Sequence, residues 1–298
     1  MDTWLSPARL GTKTAVAVAL AAALVLPASG SGGSPFAYDA SRPLDLRVKG
    51  VVEKTPVRVL DVSYASPRGG RIPGFLLEPP GGGRRPAVIY LHGDGGDRAE
   101  LFPVAYALAR RGAVTLAIDS PLARTPRPQI PRGAAGLAAT RRLDEQTVID
   151  LRRAVDVLRS RPDVDPARIG YVGFSAGART GAVLAGAEHR ISAVVLMSGG
   201  ATPLSKYLAA APKSLRAELR RQLGPVDPLR WIRQAAPSRL LLQDGRKDKV
   251  VPKSALLALA GAASRPKELR WYDAGHALNR KAVADQVAWL TRELRISK

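Results

Sequence analysis

The 298-residue sequence predicts an α/β protein with a mostly parallel central sheet and helices on both faces. Short, continuously apolar runs alternate with segments whose apolar residues recur at helical spacing. Runs without a polar face belong to strands covered on both sides, as in a parallel sheet. The composition agrees: 46% hydrophobic and 24% charged residues is a globular balance, which excludes wholesale disorder. The length suits one large α/β domain or two modest ones, and no internal repeat is visible.

At the N-terminus, Arg9 and Lys13 precede an unbroken apolar run from Ala15 to Leu26. As a helix this run reaches about 18 Å, short of the roughly 30 Å hydrocarbon core. Pro27-Ala28-Ser29-Gly30 follows, with small residues at Ala28 and Gly30. Residues 1–30 are therefore expected to be an export signal cleaved near Gly30, placing the mature protein in the cell envelope or outside the cell. Retained, the segment would be a signal anchor and the one membrane attachment the sequence offers. Residues 31–43, rich in Gly and Ser at their start, are expected to be a flexible linker.

Residues 44–298 are expected to form the α/β domain. Val57, Val59 and Val62, then Phe75 to Leu77, mark short strands separated by the turn Pro67-Arg68-Gly69-Gly70. Ala87–Leu91 is a buried strand, Leu101–Arg111 a helix and Val114–Ile118 a strand ending at Asp119. Ser120 to Gly136, rich in Pro and Arg, is expected to be an irregular loop. Val148, Leu151, Val155 and Leu158 share one helical face. Ile169–Val172 is a strand, Arg179–Ala187 a helix, and Ala193–Met197, Arg239–Gln243 and Leu269–Tyr272 are strands. Val283, Val287, Leu290 and Leu294 lie on one face of the last helix. Residues 201–237, with an amphipathic stretch at Leu215–Leu223, are expected to form a small helical lid over the strand ends.

Lys+Arg exceeds Asp+Glu by 21, an excess that removal of residues 1–30 hardly alters. The cations are scattered and no nucleic-acid motif accompanies them, so a solvated Arg-rich surface is expected rather than a specific nucleic-acid partner. Cysteine is absent, which excludes disulfides, thiolate zinc sites and a Cys nucleophile. Neither a metal nor an organic cofactor is called for. Histidine chemistry must use His92, His189 or His276.

In parallel sheets ligands bind beyond the carboxyl ends of the strands. Gly173-Phe174-Ser175-Ala176-Gly177 lies between a strand and a helix. There a sharp turn exposes Ser175, and small residues two positions away let the turn close. The Ala176 amide, at the helix start, points where an oxyanion would develop. A serine hydroxyl needs a base. His276 follows the last strand, whereas His189 sits at the wrong end of the sheet and reads as a surface or capping histidine. His92 is at the correct end, but His92-Gly93-Asp94-Gly95-Gly96 reads as a loop supplying the second oxyanion donor. That donor is the Asp94 amide, with Gly93 as the alternative. The base needs a carboxylate. Asp244 and Asp248 both follow a strand. Asp244 precedes a glycine and reads as a turn former, so Asp248 is favoured.

Ser175, Asp248 and His276 thus occur in the order Ser…Asp…His on three different loops. With YLHGDGG at 90–96, GYVGFSAG at 170–177, LLLQDGRKDKVVP at 240–252 and DAGH at 273–276, residues from about 50 to 295 resemble the α/β-hydrolase superfamily. Within it they are similar to the dienelactone-hydrolase and prolyl-oligopeptidase-like group. The resemblance implies Ser175 as nucleophile, Asp248 as acid and His276 as base of a two-step acyl transfer. Dienelactone hydrolase itself has a cysteine nucleophile, so Ser175 argues against that particular reaction. The segment ahead of HGDGG is too short for the β-propeller of prolyl oligopeptidases.

The expected activity is hydrolysis of carboxylic esters. Small-peptide or amide hydrolysis and acyl transfer to another acceptor use the same residues, so the partner is a small-molecule ester or peptide. A non-catalytic polyanion-binding protein on the same scaffold is the remaining reading. Lys206, Lys213, Arg216, Arg220, Arg221, Arg230 and Arg233 would give the lid a basic face suited to acidic esters.

Overall fold

The computed structural model describes residues 34–53 and 56–297. The expected export signal, residues 1–30, lies outside them. Three strands open the chain: β1 (Arg47–Glu53), β2 (Arg58–Ala65) and β3 (Arg71–Glu78). Six follow: β4 (Arg85–Leu91), β5 (Val114–Ile118), β6 (Val164–Phe174), β7 (Ala193–Met197), β8 (Arg239–Gly245) and β9 (Lys267–Tyr272). All nine join one sheet in the order β1-β2-β3-β5-β4-β6-β7-β8-β9. The β1–β2, β2–β3 and β3–β5 pairs are antiparallel, and every pair from β5–β4 to β8–β9 is parallel.

The apolar strands are buried on both faces because their alternate residues enter two different cores. Ala87, Ile89 and Leu91 of β4 face one core, and Val88 and Tyr90 the other. The first core is covered by α2 (Gly133–Arg159), α3 (Ala176–Ala187) and α7 (Lys253–Ala262). The second is covered by α1 (Phe102–Ala109) and α8 (Arg280–Glu293). Asn279 caps α8, its side chain accepting from the Ala282 amide at 3.1 Å. Among the described residues no helix is long and apolar enough to cross a membrane.

Three expectations change. The helix expected around Val148–Leu158 begins at Gly133, so the irregular loop stops at residue 132. Its Gly- and Ala-rich first turns carry no apolar period to announce them. The strand expected at Ile169–Val172 runs from Val164, its first half hidden by Asp165, Pro166 and Arg168. Residues 34–43, expected as flexible linker, pack as a strap. Phe36 is 0% exposed and its ring lies 5.0 Å from that of Trp231. Arg152 donates to the Phe36 carbonyl at 2.5 Å, and the Tyr38 hydroxyl donates to Asp156 at 2.7 Å. Arg153 donates to the Ala40 and Arg42 carbonyls.

The 201–237 stretch forms α4 (Leu204–Ala210), α5 (Lys213–Leu223) and α6 (Pro228–Trp231). The insertion packs on α2, α3 and α7. Several of its cations are used within the insertion itself. Arg216 donates to the Ala211 carbonyl, Arg221 pairs with Glu218, Arg233 donates to the Leu229 carbonyl, and Arg230 lies over the Trp231 ring.

Candidate active site

Parallel register aligns the carboxyl ends of the strands. Leu91 pairs with Ile118 and Gly173, Phe174 with Met197, and Gly245 with Tyr272. The loops leaving these positions carry the candidate chemistry.

Ser175 sits between β6 and α3 at φ 53° and ψ −110°, a backbone conformation that side chains other than glycine rarely adopt. The flanking glycines are there for space. A Cβ on Gly173 would lie 2.4 Å from the Gly177 carbonyl oxygen, and one on Gly177 would lie 2.3 Å from the Leu91 carbonyl oxygen. The end of β4 thus presses directly on the first turn of α3. The Ser175 amide donates to the Met197 carbonyl at 2.8 Å, and the Tyr171 hydroxyl donates to the Gly177 carbonyl at 2.7 Å. These bonds hold the turn in place against its strain.

His276 reaches this serine from the loop after β9. Its Nε2 is 2.9 Å from Ser175 Oγ, and its Nδ1 is 2.8 Å from Asp248 Oδ2. A carboxylate only accepts, so Nδ1 carries the proton and Nε2 is free to accept from the Ser175 hydroxyl. The Asp248 side chain is 1% exposed and that of His276 19%. Asp248 Oδ1 accepts from the Val250 and Val251 amides at 2.7 and 3.0 Å. Its two oxygens therefore have separate tasks, one fixed by the loop and one on the imidazole. The Phe174 ring lies 5.1 Å from the imidazole, and the Ser198 hydroxyl donates to the His276 carbonyl at 2.6 Å.

The loop after β4 lies beside Ser175. A Cβ on Gly93 would be 3.3 Å from Ser175 Cβ. The Gly93 amide donates to Glu100 at 2.6 Å, so it is committed within its own loop. Of the two amides weighed from the sequence, that of Gly93 is thus spoken for; Ala176, the other expected donor, is the first residue of α3. His92 is buried. Its Nδ1 lies 2.7 Å from the Gly93 carbonyl oxygen and its Nε2 accepts from the Ser120 amide at 3.0 Å. Both ring nitrogens hold loops together, which leaves no free base. His189 is exposed and lies before β7, away from the site.

Asp119 anchors the same loop from the end of β5. It accepts from the Arg98 amide at 2.8 Å and from its guanidinium at 3.3 Å. Burial pushes its carboxyl up, opposed by the Arg98 bond and charge. Arg124 donates to the Asp119 carbonyl and to Asp150 on α2, tying the next loop to the scaffold. Glu100, Ser198, Arg98 and Arg124 were not singled out in the sequence. Only Ser198, directly after a buried strand, offered a positional signal. Asp244, expected in a turn, is instead the penultimate residue of β8 and buried.

The model of the dienelactone hydrolase family matches residues 72–289. The chain belongs to that family. This dienelactone hydrolase family member is therefore a hydrolase. It is 31% identical over 207 residues to an uncharacterized protein of Mycobacterium tuberculosis, covering 70% of this chain and 68% of the relative. Among solved structures it is similar to an acetyl xylan esterase from a Paenibacillus species, with a TM-score of 0.73 and 22% identity over 85% of this chain and 90% of that one. Acetyl xylan esterase 1 from a Thermoanaerobacterium species gives a TM-score of 0.72 and 20% identity, over 87% and 91% of the two chains. At these identities the likeness to solved structures speaks for the α/β-hydrolase fold.

Proposed function

We propose that the protein is an exported serine hydrolase that cleaves carboxylic esters through an acyl-enzyme. The observation that carries this is the continuous relay from Ser175 Oγ through His276 to Asp248, at 2.9 and 2.8 Å. His276 Nε2 takes the hydroxyl proton as Ser175 Oγ attacks the carbonyl carbon. The negative charge forming on the carbonyl oxygen meets the Ala176 and Asp94 amides and the positive end of α3. Asp248 keeps the imidazole in the right tautomer and stabilises the imidazolium. His276 then gives its proton to the departing alkoxide. Water, deprotonated by the same imidazole, attacks the acyl-enzyme, releasing the acid and restoring Ser175.

Export is supported by the charge, apolar run and small-residue pattern of residues 9–30. The similar proteins named acetyl xylan esterases make acetyl esters the first substrates to try. Protein lacking residues 1–30 is expected to hydrolyse p-nitrophenyl acetate and to be labelled by a fluorophosphonate. Ser175→Ala should lose the labelling and lower kcat/KM by roughly 10⁴-fold or more. A folded wild-type protein that neither turns over short esters nor takes the label would overturn the assignment.

A further inference from the structure

Strand alternation sends the last side chains of β8 to opposite faces. Gln243 faces α8, its amide donating to the Tyr272 hydroxyl and the Ala282 carbonyl at 2.8 Å each. Asp244 lies on the other face with Leu240 and Leu242, and is 1% exposed. No donor among the described residues reaches either of its carboxyl oxygens. A turn closed by the Asp248 amide on the Gly245 carbonyl, at 3.3 Å, folds Asp248 back over this strand end. Two buried carboxyls thus share the end of one strand. Only one of them, Asp248, has donors.

No surrounding element offsets the pair. On β7 the neighbour in register is Ser198, followed by Gly199 and Gly200. On β9 Asp244 pairs with Trp271. From the loop beyond, the His276 Nδ1 is committed to Asp248, and Asp273 is exposed and paired with Lys247. On α7 the Lys253 ammonium lies over the Trp271 ring at 5.8 Å. Arg246, Lys247 and Lys249, on the turn itself, are exposed. A buried carboxylate without donors or a cation is held as the neutral acid. Burial first, then the Asp248 charge, push Asp244 up to about 7.

We propose that Asp244 is a proton-holding positioning residue behind the triad acid, and that releasing its proton strengthens the grip of Asp248 on the imidazolium of His276. This rests on the reading of Ser175, His276 and Asp248 as a triad. With Asp244 neutral, His276 feels one buried carboxylate. With Asp244 ionised it feels two, and its protonated form persists to higher pH. No bond is made or broken, and the one proton leaves to solvent.

With only three histidines in the chain, the side-chain NMR titration of His276 can be followed directly and assigned with His276→Gln. In Asp244→Asn, which stays neutral at every pH, the His276 titration is expected to follow the wild type below about pH 7 and to lie on its deprotonated side above it, with kcat/KM parting from the wild type over the same range. In the wild-type protein, carbon-13 titration of the aspartates should show one carboxyl that His276→Gln leaves in place and Asp244→Asn removes, with a midpoint near 7. A His276 titration in folded, active Asp244→Asn that superimposes on the wild type above about pH 7 as well overturns the proposal. So does a wild-type protein whose aspartates all titrate below about pH 5. Absent ester turnover would instead sink the triad reading itself, while the NMR midpoints report on Asp244 without turnover.

Discussion

Two clusters of buried charge lie on the same side of the sheet and are built in opposite ways. Between the strap, α2 and the end of α3, every buried charge has partners. Arg153, 1% exposed, meets Asp156 and two strap carbonyls. Asp150 accepts from Ser66 at 2.6 Å and Arg124 at 2.5 Å. Burial works against both carboxylates here. Bonds and charge from Arg190 still hold Glu188 below its usual range, while Asp150 remains pushed up despite Arg124 and Ser66. At the end of β8 Asp244 is equally buried and has no hydrogen-bond partner among the described residues. The first cluster secures the scaffold and the strap. The second places an uncompensated group at the end of the strand that leads to Asp248. Where stability alone is at stake, buried charges are paired. Beside the chemistry, one is left unpaired.

The largest expected effect tests the steric basis of the site end. In Gly177→Ala the new Cβ would lie 2.3 Å from the Leu91 carbonyl oxygen and 2.7 Å from that of His92, both backbone atoms. Either the β4 end or the α3 start must shift, which displaces the Ala176 amide and Ser175 together. Ester turnover should fall by at least about 100-fold, since misplacements near 1 Å cost that much. Gly261, whose Cβ would meet nothing within 4 Å, is the matched control. Gly261→Ala should leave turnover unchanged and raise the urea midpoint slightly.

Much of this was legible in the sequence, because the site hangs on strand ends and the strands announce themselves. AVIYL, VTLAI and AVVLM needed no partner to be read as buried strands, and Ser175, Asp248 and His276 follow three of the nine strand ends. What escaped depends on contacts across long separations. Phe36 is held by Trp231 and by Arg152, 116 residues on, so a Gly/Ser-rich start read as linker. The Glu100 bond to Gly93 decides which amide is free, yet a surface glutamate in a loop carries no sign of its partner. Asp244 before Gly245 has the local chemistry of a turn. Pairing of β8 with β9 overrides that preference and buries the carboxyl.

The next effect breaks the well-satisfied cluster. Arg153→Ala removes a buried cation and leaves Asp156 and the Ala40 and Arg42 carbonyls short of a donor. Loss of one partner from a buried charged network costs about 3–5 kcal/mol. Urea unfolding should show a loss of that order, with ester turnover per folded molecule unchanged. Deleting the strap through residue 43 should be at least as damaging, whereas removing residues 1–30 spares every strap contact. Equal stabilities for these two truncations would show that the strap contributes nothing.

The smallest effect per pH unit sharpens the comparison most, because it weighs Asp244 in the unfolding equilibrium alone. Folded, this carboxyl keeps its proton up to about pH 7; unfolded, an aspartate releases it near pH 4. Below pH 4 both states are protonated and the group's contribution is fully present. Between about pH 4 and 7 the folded state binds one more proton than the unfolded, so stability falls as pH rises, by at most about 1.4 kcal/mol per unit. Above pH 7 the loss is complete and the curve levels, after a total of roughly 4 kcal/mol. Asp244→Asn has no proton to lose. The difference between wild-type and variant stabilities, measured by urea unfolding from pH 4.5 to 8, should therefore slope down toward alkaline pH and flatten near 7. A flat difference would mean that Asp244 ionises in the folded protein as it does in water, and the contrast between the two clusters would collapse. A slope of the expected sign makes the end of β8 the place where the fold gives up stability as pH rises toward 7.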